Sequence, residues 1–264
     1  LSAAAVVGLS LGSFSNCLDG LFVYDDNVAV LRNPVVNGRA SLGQVWWRDY
    51  WGDPLASPKS HKSWRPVTTL SFRWDYSRAT SGGSAETSTS PSSWPFHAVN
   101  VALHAVCSLL GVIAARELLS PAVGDQTLAA ASTVAGALFA THPAHTEAVD
   151  NIACRADVLM GCFFLLGFLA YAATVRRCDH YSFFPARLLP PLGVALLFTL
   201  LAVLSKETGM TIVAILACYD ALRDPPLPLA AIGRGAGGKK KAGRGKKEEE
   251  EEVEEEEEEE EDDD

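Results

Sequence analysis

Two adjacent carboxylates, Asp25 and Asp26, follow Tyr24 just beyond an apolar stretch that ends at Leu18. A carboxylate at the mouth of a membrane helix is costly to place unless it faces water or polar partners, which makes the pair functional candidates. Partly shielded from water, one of them suits a general base that takes the proton of a hydroxyl. Its neighbour can hold a partner, a cation or the same acceptor. Asp25-Asp26-Asn27 also reads as the start of an exposed turn, because Asp and Asn side chains close turns on their own backbone.

A second polar set is His142-Pro143-Ala144-His145-Thr146-Glu147-Ala148-Val149-Asp150-Asn151, followed by Arg155 and Asp157. Pro143 suits the first turn of a helix, and Glu147 and Asp150 favour its positive N-terminal end. Helical spacing puts Glu147, Asn151 and Arg155 on one face, with His142 and His145 as neighbours three residues apart. A helix that begins so polar and runs into lipid either lines an aqueous cavity or carries an internal Glu147–Arg155 network that fixes its packing. The His-x-x-His spacing lacks the His-Glu-x-x-His pattern of zinc hydrolases, so no residue is assigned as a metal ligand.

The third set is basic: His61, Lys62 and Arg65, with Lys206 beside Glu207 far along the chain. Cations gathered with carboxylates suit a substrate that carries phosphate at a membrane surface. Alone, Lys206-Glu207 reads as a surface ion pair worth at most roughly 1 kcal/mol. No GxGxxG, P-loop or G-x-S-x-G motif and no nucleic-acid module is present, so nucleic acid is not an expected partner.

The elements that must position these residues are apolar. Hydrophobic residues make up 48% of the chain, and they cluster in blocks at residues 1–18, 98–119, 127–141, 152–175, 188–204 and 209–222. A bilayer crossing takes roughly 20 apolar residues, a length the second and fourth blocks reach comfortably. The pattern predicts an all-α polytopic membrane protein of about six helices. A soluble helical domain fits less well, because residues 152–175 show no polar stripe after their first turn.

The organisation that follows is a first membrane helix (residues 1–18), a polar loop (19–95), about five membrane helices (96–222) and a disordered tail (223–264). In the loop, residues 42–50 and 64–76 carry paired aromatics and read as short interfacial helices; residues 80–93 read as a Ser/Thr/Gly-rich flexible insertion. The net charge of −10 is misleading. Sixteen of the 32 acidic residues lie in residues 248–264, and the remainder of the chain carries six excess positive charges. That tail, basic and then acidic, reads as solvated chain, with lipid contact by its lysines as the alternative. Six scattered cysteines without CxxC spacing argue against a disulfide framework or a zinc site. The chain begins inside an apolar run, which reads as a piece of a longer protein.

If each block crosses once, residues 19–95, 142–150 and 206–207 emerge on the same side. The opposite connections carry Arg116, Arg176, Arg177 and Arg187, followed by Arg223. The positive-inside rule assigns those arginines to the cytoplasm and the three polar sets to the other face, with the tail cytoplasmic. Charges gathered at one face disfavour a proton-coupled transporter, which would place them near mid-membrane. A non-catalytic membrane scaffold or folding factor stays open on the residues alone.

Five strings occur in series: Phe22-Val23-Tyr24-Asp25-Asp26; Ser60-His61-Lys62-Ser63-Trp64-Arg65-Pro66-Val67-Thr68; Phe96-His97-Ala98-Val99-Asn100 with His104; the His142–Val149 string with Arg155-Ala156-Asp157; and Ser205-Lys206-Glu207-Thr208-Gly209 with Tyr219-Asp220. Together they resemble the transmembrane and tetratricopeptide-repeat protein O-mannosyltransferases of the endoplasmic reticulum. The resemblance implies part of a GT-C type glycosyltransferase helix bundle with a lumenal first loop. It implies a multi-pass location in the endoplasmic reticulum membrane, dolichyl-phosphate mannose as donor, and a Ser or Thr hydroxyl of a secretory-pathway protein as acceptor. No cofactor beyond the lipid-linked donor is implied, and a divalent-metal requirement is left open. The base or acceptor-positioning role maps onto Asp25 or Asp26, with Asp25 preferred as the one nearer the helix end. Arg65, His145, Arg155 and Lys206 are implied candidates for the phosphate leaving group. The family's further membrane helices and tetratricopeptide repeats are not visible in this sequence. The insertion and the tail depart from its pattern.

Overall fold

The computed structural model describes residues 2–81, 91–120, 122, 124–176 and 189–223. Most of the insertion, Arg177, Arg187, Cys178 and the tail beyond Arg223 lie outside the described residues. Eight α-helices occur among them: α1 (Ala3–Phe14), α2 (Pro66–Ser81), α3 (Trp94–Leu119), α4 (Asp125–Ala140), α5 (Thr146–Asp150), α6 (Arg155–Val175), α7 (Leu189–Ser205) and α8 (Ile212–Arg223). The all-α expectation holds, because no strand occurs among the described residues beyond one isolated Arg48–Pro54 bridge. Two helical stretches, Trp94–Leu119 and Ile152–Val175, are long and apolar enough to cross a membrane; Leu189–Ser205 is apolar but shorter. Residues Leu1–Leu216 form one compact unit, and the second, Ala217–Asp264, is described only through the last turns of α8.

Helix α3 is the centre of the first unit, with α1, α4 and α6 packed on it and α7 packed on α6. Glycine permits one of these approaches, that of α4 to α3. A Cβ at Gly136 of α4 would lie 2.2 Å from Val112 Cγ2 on α3. Hydroxyls inside the apolar helices bond back to their own turn, as Ser132 does to Leu128 O (2.7 Å) and Thr174 to Ala170 O (2.7 Å). Each bond satisfies the hydroxyl within its own helix. At the N-terminal end of α3, Ser93 Oγ donates to Gly20 O (2.6 Å), tying the chain after α1 to the start of the long helix.

The loop after α1 is more than a set of interfacial helices. Its Ala29, Val30, Val36, Tyr50 and Phe72 form a buried cluster with Phe96 of α3 and with Ile152 and Ala153 ahead of α6. Beside the aromatic segments expected at an interface, the loop thus carries a buried cluster of its own. Enough β-branched and aromatic side chains sit among the polar residues to fold the loop onto the helix ends. Trp46, Trp47 and Trp74 do stay largely exposed, as interfacial residues would.

A correction concerns residues 142–155. One continuous helix was expected; instead a 3-10 turn (Pro143–His145), the short α5, a break at Asn151 and another 3-10 turn (Ile152–Cys154) precede α6. Asn151 is extended (ψ 117°), and its side chain accepts from Ala153 N (3.0 Å). Asn is a strong helix cap, so it starts a new helix where it would have continued the old one. Glu147, Asn151 and Arg155 consequently do not share a face, and no Glu147–Arg155 network forms among the described residues.

Candidate functional site

Asp25 and Asp26 part company at Tyr24, whose φ of +42° lies in the left-handed region that β-carbon-bearing residues seldom adopt. The turn leads into a π-helical segment, Asn27–Arg32. Such segments interrupt the α pattern and recur at functional sites. The result is one buried and one exposed carboxylate.

Asp26 has no exposed surface. Its carboxylate accepts from Val23 N (2.9 Å) and Ala153 N (2.8 Å). Tyr50 donates its hydroxyl to Ala153 O at 2.5 Å, so both polar groups of Ala153 are held by residues of the first loop. This clasp joins the loop to the turn before α6. Burial raises the proton affinity of Asp26, opposed by the two N–H bonds and by His97. An acceptor molecule has no access to this carboxylate, so its work is architectural.

Asp25 stands on the open side of the same turn. Its backbone carbonyl accepts from Val28 N (3.0 Å) and Ala29 N (2.8 Å), while its side chain is exposed. Among the described residues no hydrogen bond or ion pair engages that carboxylate. Asp157, Glu147, Lys206 and Asp25 all lie close enough to act electrostatically on the thiol of Cys154. The first loop, the 142–150 segment, the start of α6 and the end of α7 therefore converge on one place.

Lys206 and Glu207 are not a pair with each other. Lys206 Nζ lies 2.5 Å from Asp157 Oδ1, and Arg65 Nε lies 3.1 Å from Glu207 Oε2. The extended backbone at Lys206 (φ −155°, ψ 142°) sends the two side chains apart. The Arg65 guanidinium also sits over the Tyr50 ring, 4.9 Å from its centroid, above the residue that clasps Ala153. Thr68 Oγ1 donates to Ser205 O (2.9 Å), which fixes the start of α2 against the end of α7. Both ion pairs are partly open to solvent, with side-chain exposures of 19% and 47% for Arg65–Glu207 and 24% and 36% for Lys206–Asp157. At that exposure each pair adds little stability, and its value is in holding a cation in place.

Gly209 makes the Lys206 turn possible. A Cβ there would lie 2.6 Å from Ala202 C and 2.8 Å from Val203 N, both backbone atoms of α7. Gly209→Ala is expected to destabilise the protein by about 1–3 kcal/mol, as an overpacked buried site does. Thermal unfolding of the purified variant measures it; a wild-type midpoint would mean the turn gives way freely.

Other candidates lie elsewhere. Lys62 donates its ammonium to the carbonyls of Leu55 and Ser57 (2.9 Å for the latter), closing its own loop. His61 packs near Trp51, with ring centroids 6.0 Å apart, and its backbone N–H goes to the buried Asp49 (3.1 Å). His142 accepts from Ala144 N through Nδ1 (3.2 Å), a helix-cap role. His145 donates its Nδ1–H to Phe139 O (2.9 Å) and packs on Phe139 and His104. Burial holds His145 below the usual imidazole range, with the Phe139 carbonyl opposing. These histidines secure the end of α4 against α3.

Arg155 is fully buried. Its Nε donates to Asn100 Oδ1 (2.7 Å), Nη1 to Asp75 Oδ2 (2.5 Å) and Ser71 Oγ (3.3 Å), and Nη2 to Phe96 O (2.9 Å). The guanidinium also lies over Phe72, 4.7 Å from the ring centroid. With all three nitrogens engaged, Arg155 is the hub that joins α2, α3 and α6. Asp75 and Tyr50 were not singled out from the sequence, and Asn100 entered only as the end of the Phe96–Asn100 string. A buried arginine requires a carboxylate partner, but spacing along the chain cannot say that the partner lies eighty residues away. No group of three or more His, Cys, Asp or Glu side chains able to hold a metal occurs among the described residues.

No family model and no solved structure matches this chain. Among curated proteins, human protein O-mannosyl-transferase TMTC4 is 36% identical over 83% of this chain and 29% of its own length. Drosophila melanogaster protein O-mannosyl-transferase Tmtc2 is 39% identical over 80% of this chain and 20% of its own. Caenorhabditis elegans protein O-mannosyl-transferase F38B6.6 is 36% identical over 82% of this chain and 27% of its own. The chain thus spans less than a third of the length of these relatives. Over that shared portion the chain is similar to the TMTC-type proteins, which are named protein O-mannosyl-transferases.

Proposed function

We propose that this chain forms part of a membrane-embedded protein O-mannosyltransferase of GT-C type, with about six membrane helices and its first loop on the lumenal side of the endoplasmic reticulum membrane. The donor is dolichyl-phosphate mannose and the acceptor a Ser or Thr hydroxyl of a secretory-pathway protein. The observation that carries this reading is the exposed Asp25 carboxylate, which acts on the Cys154 thiol together with Lys206, on a turn anchored by the Asp26–Ala153–Tyr50 clasp. Asp25 takes the proton of the acceptor hydroxyl as its oxygen attacks the anomeric carbon of mannose. The bond from that carbon to the phosphate oxygen breaks with inversion, and dolichyl phosphate leaves. Lys206 and Arg65 each commit one donor to a carboxylate and keep others for the departing phosphate, whose growing charge they stabilise.

Membranes carrying the full-length protein, given labelled dolichyl-phosphate mannose and an acceptor peptide, should transfer label to the peptide. Complete absence of transfer, from protein shown to be folded, would favour a scaffold over an enzyme. Topology is tested separately: an N-glycosylation site placed at Ser84 should be modified, and one placed just after Arg223 should remain bare. The reverse pattern overturns the side assignment.

A further inference from the structure

A cavity of about 700 Å³ opens between α2 and α3, away from the Asp25 turn. One wall is the α2 stripe Ser71, Trp74, Asp75 and Arg78; the other is the α3 stripe of Trp94, Pro95, Ala98, Val99 and Ala102. Both sets recur at helical three- and four-residue spacing, so two whole helix faces are presented to the space. The α3 wall belongs to a helix long and apolar enough to cross a bilayer, and its small side chains leave the width of the cavity open. The α2 wall is polar and aromatic. Trp74 and Trp94 are 64% and 53% exposed at the mouth, the placement tryptophan takes at a membrane–water boundary.

Charge chooses among amphiphiles. Asp75 is committed to Arg155 at the floor, which cancels both charges. Arg78 remains as an exposed cation, lying 6.0 Å from the Trp74 ring centroid. The cavity therefore offers an apolar wall on the membrane side and one unbalanced positive charge at the rim. Its volume falls within the roughly 300–1,000 Å³ typical of ligand pockets.

We propose that this cavity seats one anionic phospholipid from the surrounding bilayer, with an acyl chain along Ala98, Val99 and Ala102 and its phosphate at Arg78. The seat is separate from sugar transfer and stands on the membrane placement of α3 alone.

The test is native mass spectrometry of the full-length protein released from mixed phosphatidylglycerol and phosphatidylcholine nanodiscs. Wild type should retain one phosphatidylglycerol in preference to phosphatidylcholine. Arg78→Gln, on an exposed side chain, should reduce that preference about fivefold, the size expected for one basic residue facing an anionic lipid. Ala102→Phe, which fills the cavity without touching charge, should remove retention of both lipids. Equal retention of the two lipids by wild type, or an unchanged preference in Arg78→Gln, overturns the proposal. Displacement of phosphatidylglycerol by equimolar dolichyl phosphate also overturns it, since the cavity would then serve the sugar donor.

Discussion

Asp25→Asn in the full-length protein is expected to lower mannose transfer from dolichyl-phosphate mannose by roughly 10²- to 10⁴-fold, the usual contribution of a positioned general base. The substitution keeps shape and removes only the proton acceptor. Because the Asp25 side chain is exposed and anchors nothing among the described residues, the unfolding midpoint should stay at the wild-type value. Its neighbour behaves in the opposite way. Asp26→Asn replaces a carboxylate that accepts two backbone N–H groups with an amide that has a single acceptor oxygen. One N–H is then left facing an NH₂ group in a buried position, at a cost of about 1–3 kcal/mol. Asp26→Asn should therefore lose transfer only in proportion to lost folded protein. Measuring transfer per folded molecule separates the two, and an Asp25→Asn protein within twofold of wild type would remove Asp25 from the chemistry.

That contrast between neighbours marks the limit of what the residues disclosed in order. The all-α character and the two long apolar helices followed from composition, since backbone groups in lipid must be satisfied within a helix. The expectation that Asp25, Glu147 and Lys206 share one face came from counting crossings, a one-dimensional argument that needs only helix ends. What stayed hidden were consequences of packing across long sequence separations. The Tyr50–Ala153 bond spans 103 residues and the Arg155–Asp75 pair 80. Nothing in the string Phe72-Arg73-Trp74-Asp75 marks Asp75 as a partner for a distant arginine. The helical register through Asn151 failed for a local reason, because one capping side chain outweighed four-residue periodicity. Arg155 carries the same lesson: a cation near a membrane face reads as a ligand for phosphate, while the structure engages all three of its nitrogens with Asn100, Asp75, Ser71 and Phe96.

Arg155→Met follows from those bonds and should be among the most damaging single changes in the chain. It leaves Asp75 buried without its cation and strips Asn100, Ser71 and the Phe96 carbonyl of their donor. Removing one partner of a buried ion pair costs about 3–5 kcal/mol, because the remaining charge is left in a poorly solvating place. Burial already lifts the Asp75 carboxyl above its ordinary value, and Arg155 is the main group opposing that lift. With Arg155 gone, the folded state holds the Asp75 proton more tightly than the unfolded chain does. A raised carboxylate value contributes stability below the unfolded value of about 4, and that contribution is lost as pH rises through the folded one. The deficit of Arg155→Met should thus be widest near neutral pH and shrink toward pH 4. Adding Asp75→Leu should recover part of it at pH 7 by removing the stranded charge. Thermal unfolding in detergent across that pH range checks both statements. A single variant within about 1 kcal/mol of wild type at pH 7 would contradict a fully buried pair, and a pH-independent deficit would mean that Asp75 is not the group left behind.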